Sequence, residues 1–401
     1  MVCCLVTSYR KPALCALLAA LLFLCACTQG GTNAPGTTGE PTLPPTTAPP
    51  PPAVVTLMAV GDNLIHNPIF EQARARVGDG GYDFRPAYAQ VKPLLEKADL
   101  SVINQETVIA GAIYPPSSYP MFNSPTQLGD AVYDLGFRVI GMSNNHMLDK
   151  GTPGVYANLD YWDSKEDVTA FGAYRDTADF QAPRIYEANG ITFAFLGATF
   201  SYNGLQLPTG SNLVLPLLDQ EDLLEEAVGA ARRAADVVVV GLHWGNEDSQ
   251  IVSEAQRVLA RKLADWGTDI ILGTHPHVLQ TMVFLDRPDD GTASGGGRTF
   301  VAYSLGNFIS AQAAAPNLIG GILELTVTKD KGEITVDTPR FYPTITQYGS
   351  RFSNVHIVPW ENYTYALAAD HGVRRSDSRF SYTYIEDLLK RTIPKEYLVM
   401  G

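Results

Sequence analysis

Seven short apolar runs, each continuous rather than alternating, constrain the fold of this chain more than any other feature. They are Val54 to Val60, Leu100 to Asn104, Val139 to Met142, Ile191 to Leu196, Val237 to Leu242, Ile270 to Gly273 and Thr299 to Leu305. A strand with one wet face alternates apolar and polar residues, whereas a strand covered on both faces has no need to. Between the runs, Pro86 to Lys97, Thr126 to Leu135, Asp219 to Ala234 and Ser253 to Trp266 carry helical spacing. The third of these starts with Asp219 and further acids and ends with Arg232 and Arg233, which matches the helix dipole at both ends. The pattern predicts an α/β layered domain.

Six of the seven runs end in a cluster of polar side chains, and strand ends are where open α/β sheets place ligands. The first enters Gly61-Asp62-Asn63-Leu64-Ile65-His66, the second Asn104-Gln105-Glu106, and the third Ser143-Asn144-Asn145-His146. Later runs lead into His243-Trp244-Gly245, Gly273-Thr274-His275-Pro276-His277 and Ser304-Leu305-Gly306-Asn307-Phe308. These polar ends are expected to gather along one edge of one sheet. Imidazole, carboxylate and amide oxygen together suit a divalent transition metal such as manganese, iron or zinc. Pro276 favours extended geometry at His275, and residues two apart in an extended segment point the same way, so His275 and His277 are expected to face one metal pair. Each residue alone has an ordinary role: Asp62 as a helix cap, Glu106 as a loop acid, His243 as a core histidine. Their joint occurrence carries the reading. Ser304 and Asn307 are expected beside the cluster as orienting groups, with a tight turn at Gly306 as the alternative. Trp244 either stacks on substrate or roofs the site. Glu247 and Asp248 read as solvated loop acids, with repulsion of polyanions from one side as the alternative, and His356 and His371 as surface residues.

The chain has 42 acidic against 29 basic residues and a net charge of -13. Residues 1–52 carry Arg10, Lys11 and Glu40, which leaves -14 for the rest and no basic excess to follow a phosphate backbone. No nucleic-acid partner is expected. All five cysteines lie at or before Cys27, so disulfides take no part in the expected fold. Arg10 and Lys11 precede the apolar run Ala13 to Leu24, which fits a secretory signal and is short for a bilayer of about 30 Å. Leu24-Cys25-Ala26-Cys27 resembles a bacterial lipobox, with Cys27 lipid-modified; an ordinary cleaved signal is the alternative. Residues 28–52 are nearly all Thr, Pro and Gly, with no apolar face to bury, and read as a tether. The expected organisation is a lipoprotein signal over 1–27, a tether over 28–52, a domain over 53–347 and a C-terminal extension over 348–401 with one short helix near 385–391. The expected location is extracytoplasmic, lipid-anchored to a bacterial membrane.

The ordered motifs Gly61-Asp62, Asn104 to Glu106, Ser143 to His146, His243 to Gly245, Gly273 to His277 and Ser304 to Phe308 resemble the CapA family of bacterial poly-γ-glutamate capsule synthesis proteins. That family is similar to calcineurin-like metallophosphoesterases, which implies an α/β/β/α sandwich with two divalent ions at the strand ends. The resemblance implies that Asp62 and His277 hold one ion, that Asn145, His243 and His275 hold the second, and that Glu106 bridges them. It gives His146 the role of helping to protonate a leaving group, and leaves His66, Asn104, Asn144, Trp244, Ser304 and Asn307 as supporting or substrate-facing residues. Two departures stand out. The phosphoesterase pattern has His two residues after the first Asp, whereas this chain has Leu64, with His66 two further on, and Glu106 stands where that pattern usually has Asp.

The resemblance and the tether imply a surface lipoprotein acting in synthesis, export or anchoring of an anionic polymer such as poly-γ-glutamate. Two alternatives stand beside it: a metal-dependent hydrolase of phosphoesters or cell-wall amides, and a non-catalytic module that binds capsule-assembly proteins.

Overall fold

The computed structural model describes residues 51–78, 80–287 and 297–401. Cys27 and the expected signal segment and tether up to residue 50 lie outside the described residues. In chain order, β1 (Ala53–Asn63) leads through helices α1 (Asn67–Val77), α2 (Arg85–Tyr88) and α3 (Lys92–Leu95) to β2 (Leu100–Asn104). Helix α4 (Thr126–Asp134) precedes β3 (Val139–Gly141), α5 (Gly151–Asp163) precedes β4 (Thr169–Phe171), and α6 (Thr177–Gln181) precedes β5 (Arg184–Ala188) and β6 (Ile191–Thr199). Then come α7 (Glu221–Ala234), β7 (Val237–His243), α8 (Glu254–Asp265), β8 (Ile270–Thr274), β9 (Met282–Asp286), β10 (Arg298–Ala302) and β11 (Asn307–Ile309). Strands β12 (Ile319–Asp330), β13 (Glu333–Gln347) and β14 (His356–Pro359) and helices α9 (Tyr365–Asp370) and α10 (Tyr382–Thr392) complete the chain.

These strands form two sheets, which corrects the expectation of a single one. The eight-stranded sheet has the order β14-β13-β12-β1-β2-β3-β4, with β11 beside the end of β1; the six-stranded sheet has the order β5-β6-β7-β8-β10-β9. In the first sheet β1, β2, β3 and β4 run parallel, and in the second β6, β7, β8 and β10 do. Local apolar runs look alike in either sheet, so the sequence pattern could not divide them.

The second sheet shows why its runs are continuous. Phe193, Phe195, Val237, Val239, Ile270 and Phe300 point into the core shared with the first sheet, where Phe195 meets Phe171 at 5.6 Å. The residues between them, Ala194, Leu196, Val238, Val240 and Ile271, lie on the other face under Leu224 and Val228 of α7 and Leu259 and Leu263 of α8. Burying each large side chain stabilises the fold by about 1.5–3 kcal/mol. Helices α1, α4 and α5 add Ile69, Leu128, Val132, Val155 and Leu159 to the core of the first sheet. The result is the expected α/β/β/α layering.

Helix α8 has Ser253 as its N-cap in a capping box with Gln256, close to the start expected for it. The helix expected over 86–97 is instead two short pieces, α2 and α3. Pro93 lies four residues after Ala89, whose carbonyl its ring would strike in a continuous helix. Residues 348–401 bring α9, α10 and the edge strand β14, which pairs with β13, and they bury Ile385, Leu388 and Leu389 in the main core. His371 is buried at 2% exposure, which corrects its reading as a surface residue. It bonds the Thr346 carbonyl at 2.9 Å and accepts from the Val373 N–H at 3.0 Å, while His356 is half-buried with Nδ1 2.7 Å from the Asn354 carbonyl.

Candidate metal centre

The face-to-face sheets bring two sets of strand ends together. Asp62, Glu106 and Asn145 come from the ends of β1, β2 and β3, and His243, His275 and His277 from the ends of β7 and β8. The close approach depends on Gly61, where a Cβ would lie 1.8 Å from the Gly306 carbonyl oxygen. The neighbouring Asp62 N–H donates to that same oxygen at 3.1 Å, and Asp62 then pairs with Asn307 of β11. A side chain at position 61 would force these segments apart.

All six residues are buried. Asp62 accepts from Asn104 Nδ2 at 2.7 Å and from the His275 N–H at 3.2 Å, and lies 3.1 Å from His277 Nδ1. Asn144 holds the strand ends together by donating to the Gln105 carbonyl at 3.0 Å and accepting from the His146 N–H at 3.2 Å. Glu106 differs from Asp62: neither of its oxygens has a hydrogen-bond partner among the described residues. Its Oε1 lies 3.5 Å from His243 Nε2 and 3.8 Å from His277 Nε2.

The hydrogen bonds around His243 indicate what the site fits. The Thr274 hydroxyl donates to the Leu242 carbonyl at 3.3 Å, so at 3.0 Å it accepts from His243 Nδ1–H. In the neutral ring Nε2 then carries a lone pair, yet it faces Asn145 Oδ1 at 2.9 Å and Glu106. The Asn145 amide is turned this way because its Nδ2 donates to Asn203 Oδ1 at 3.2 Å. Three acceptors therefore converge, an arrangement that a cation would satisfy. His275 Nδ1 likewise has no partner among the described residues. The donor set fits a divalent metal.

The titration behaviour agrees. Burial, then the neighbouring His275, pushes His243 well below the usual imidazole range, and burial with His277 nearby lowers His275 to about 4. Both are held neutral, the form that offers a lone pair. Burial and the Asp62 charge push Glu106 well above the usual carboxylate range. Burial alone would lower His277, but the Glu106 and Asp62 charges outweigh it and carry it up to about 10. Two buried carboxylates thus draw in positive charge, a proton on His277 or a bound cation.

His146 stands beside this cluster. Its Nδ1 lies 2.8 Å from Asp149 Oδ2, which also accepts from the Phe122 N–H at 2.6 Å. Phe122 meets His146 edge-on at 4.7 Å and His66 at 5.2 Å. Asp149, three residues after His146, was missed in the sequence, where the spacing was its only signal. Asn203, Thr274 and Phe200 were also missed; Phe200 packs 4.3 Å from the His275 ring and is partly exposed. Asn203 and Phe200 lie in a turn and just past a strand with no motif to mark them, whereas Thr274 sits inside the Gly273 to His277 motif without being singled out.

Several expectations need correction. His275 and His277 are not extended: their φ angles are +93° and +57°, both in the left-handed region. Tertiary packing overrides the preference set by Pro276, and such strain collects at functional sites. Trp244 neither stacks on a substrate nor roofs the site. It is 1% exposed in the core on the outer face of the second sheet, donating to the Tyr303 carbonyl at 2.9 Å. Ser304 bonds backbone, donating to the Val278 carbonyl at 2.7 Å and accepting from the Gly306 N–H at 3.2 Å, which is the tight-turn alternative. Asn307 Oδ1, by contrast, lies 3.0 Å from His277 Nδ1. His66 Nδ1 faces the Leu64 carbonyl at 3.2 Å and the Ala311 N–H at 3.3 Å, and burial lowers its pKa to about 4.

A model of the bacterial capsule synthesis protein family PGA_cap matches residues 56–312. The chain belongs to this family. It is 34% identical over 181 residues to the PGA biosynthesis protein CapA of Bacillus subtilis (strain 168), a match covering 45% of this chain and 44% of that protein. It is also 32% identical over 185 residues to the capsule biosynthesis protein CapA of Bacillus anthracis, covering 45% and 42%. The matches thus span less than half the length of these curated relatives. A solved structure of the calcineurin-like phosphoesterase YfkN from Bacillus subtilis superposes with a TM-score of 0.42 and 13% identity, covering 85% of this chain and 100% of that one.

Proposed function

We propose that this PGA_cap protein is a lipid-anchored, extracytoplasmic protein that acts in synthesis, export or anchoring of an anionic polymer of the poly-γ-glutamate kind, through a divalent-metal site. The observation that carries the metal site is the convergence of acceptors: Glu106 with two unpartnered oxygens, facing the lone-pair nitrogen of His243 and the oxygen of Asn145. Asp62 and His277 would hold one ion, Asn145, His243 and His275 a second, and Glu106 would lie between them. Cys27 would carry the lipid. Bound divalent ions supply positive charge and electrophilic polarisation. This matters because residues 53–401 carry -14 and repel a polycarboxylate at long range, so attraction has to be local. The test is direct titration of the purified protein with poly-γ-glutamate before and after chelation. Affinity is expected to fall on chelation and return with Mn²⁺; unchanged affinity would refute a metal-dependent contact.

The His146–Asp149 pair favours a second reading, hydrolysis of a phosphoester or an amide. Asp149 fixes the His146 ring, and His146 is placed to pass a proton to a departing group. Turnover of a chromogenic phosphodiester that disappears in His146→Ala would establish it. Metal binding and polymer binding without turnover would leave the binding function alone, and assembly proteins of the capsule would then be the partners to seek.

A further inference from the structure

We propose that Glu247 is a metal ligand that takes the place of the imidazole absent at position 64. This rests on the metal-site reading above and adds to it a residue that sequence reasoning set aside as a solvated acid. Leu64 is 2% exposed and offers no ligand atom, and His66 lies outside both sets of converging ligand atoms among the described residues. One set is Asp62, Glu106 and His277; the other is Glu247, His275 and His277, each with ligand atoms within 4.8 Å of one another. His277 belongs to both, so the Glu247 carboxylate comes from the second sheet to the imidazole that Asp62 also faces, with His275 beside it.

An exposed acid near two histidines could be accidental, but two further observations separate this one. The loop bearing Glu247 is anchored on both sides: the Trp244 N–H donates to the Thr274 carbonyl at 3.1 Å, and the Asp248 N–H to the Pro276 carbonyl at 2.9 Å. Asp248 Oδ1 accepts from Asn317 Nδ2 at 2.7 Å, and Gln250 Nε2 donates to Thr392 Oγ1 of α10 at 3.0 Å. Gly245 makes the turn possible, with φ of +88° and a Cβ position 2.9 Å from the Gln256 amide. The second observation is His275 itself, 3% exposed, whose Nδ1 has no partner among the described residues. A buried polar atom without a partner, in the same set as Glu247, points to a ligand there.

The chemical consequence is selectivity. Replacing an imidazole by a carboxylate gathers Asp62, Glu106 and Glu247 oxygens around the His277 nitrogen, with His275 on the Glu247 side. Such a set suits Mn²⁺ better than the nitrogen-rich position of His243 and His275 does.

The test is Mn²⁺ binding, read by calorimetry and by the paramagnetic resonance of the free ion, in the full chain and in Glu247→Gln, Asp62→Ala and His243→Ala. Glu247→Gln is nearly isosteric at an exposed position, and its metal-free melting temperature checks the fold. Two binding events are expected for the unaltered protein, with one weakened at least tenfold in Glu247→Gln and the other retained. If Asp62→Ala and His243→Ala each weaken binding while Glu247→Gln binds both ions as before, this inference fails and the metal site stands. If the unaltered protein binds no Mn²⁺, both fail.

Discussion

Glu106→Gln separates the demands of the fold from those of the site, because the two predict opposite changes. In the metal-free protein Glu106 is fully buried, and its oxygens have no donor among the described residues. A buried polar group left unsatisfied costs about 1–3 kcal/mol, more if charged. A glutamine of the same shape carries no charge beside Asp62 at any pH, whereas Glu106 must take up a proton to lose its own, and the amide N–H can donate to the lone pairs of His243 Nε2 or Asn145 Oδ1. Metal-free Glu106→Gln is therefore expected to be more stable than the unaltered protein by about 1–3 kcal/mol, a rise of roughly 2 °C in melting temperature per kcal/mol in a domain this large. With Mn²⁺ at a thousandfold its dissociation constant, the unaltered protein gains about 4 kcal/mol, which the variant largely forgoes. The order of stability should thus invert on adding metal. Thermal unfolding of both proteins, with chelator and with graded Mn²⁺, measures this directly. A variant less stable than the unaltered protein in chelator, by as much as in metal, would refute the argument, since Glu106 would then be a structural residue whose partners the geometry has misassigned.

Three further outcomes follow from the same structure. Gly61→Ala puts a methyl 1.8 Å from backbone that has no rotamer to move, so it is expected to cost about 2–4 kcal/mol and to weaken metal binding through Asp62; denaturant unfolding with calorimetry tests both, and an unchanged midpoint would count against the approach of β1 to β11. His371 is held neutral with its pKa lowered to about 4 by burial, against 6.5 when unfolded, so the unfolded chain binds more protons between those values and stability falls as pH drops from 6.5 towards 4. His371→Gln should remove about 2 kcal/mol of that loss between pH 7 and 4.5 in urea unfolding, and an identical pH dependence in the two proteins would overturn the reading. Trp244→Ala should lower stability by about 3–5 kcal/mol through loss of core packing, whereas a change confined to ligand affinity would show that Trp244 acts at the site after all.

The parts of the fold legible in the sequence are those fixed by local pattern. Strand β2 has the bounds that its apolar run suggests, and α4, α7 and α8 begin and end close to their amphipathic limits. What was not legible depends on distant partners. The hairpin of β12 and β13 pairs residues as far apart as Ile319 and Ile345, and β14 is a strand because β13 offers it an edge. The burial of β13 shifts along its length from mostly exposed to fully buried, so no single period marks it. The cluster itself could be read from strand-end motifs, but its division between two sheets could not. Asp149 and Glu247 show a related limit, since an acid a few residues past a histidine has the same sequence appearance in a solvated loop. His275 and His277 show the reverse case: a sound local rule about proline yields to φ angles that only the packed structure imposes.

The central claim is that the six residues from two sheets form a divalent-metal site. Elemental analysis of the segment from Ala53 to Gly401, purified without chelator and compared with Asp62→Ala and His243→Ala, tests it most directly. About two equivalents of metal, reduced by each substitution, is the predicted result; no bound metal in the unaltered segment, even after dialysis against Mn²⁺, would contradict it.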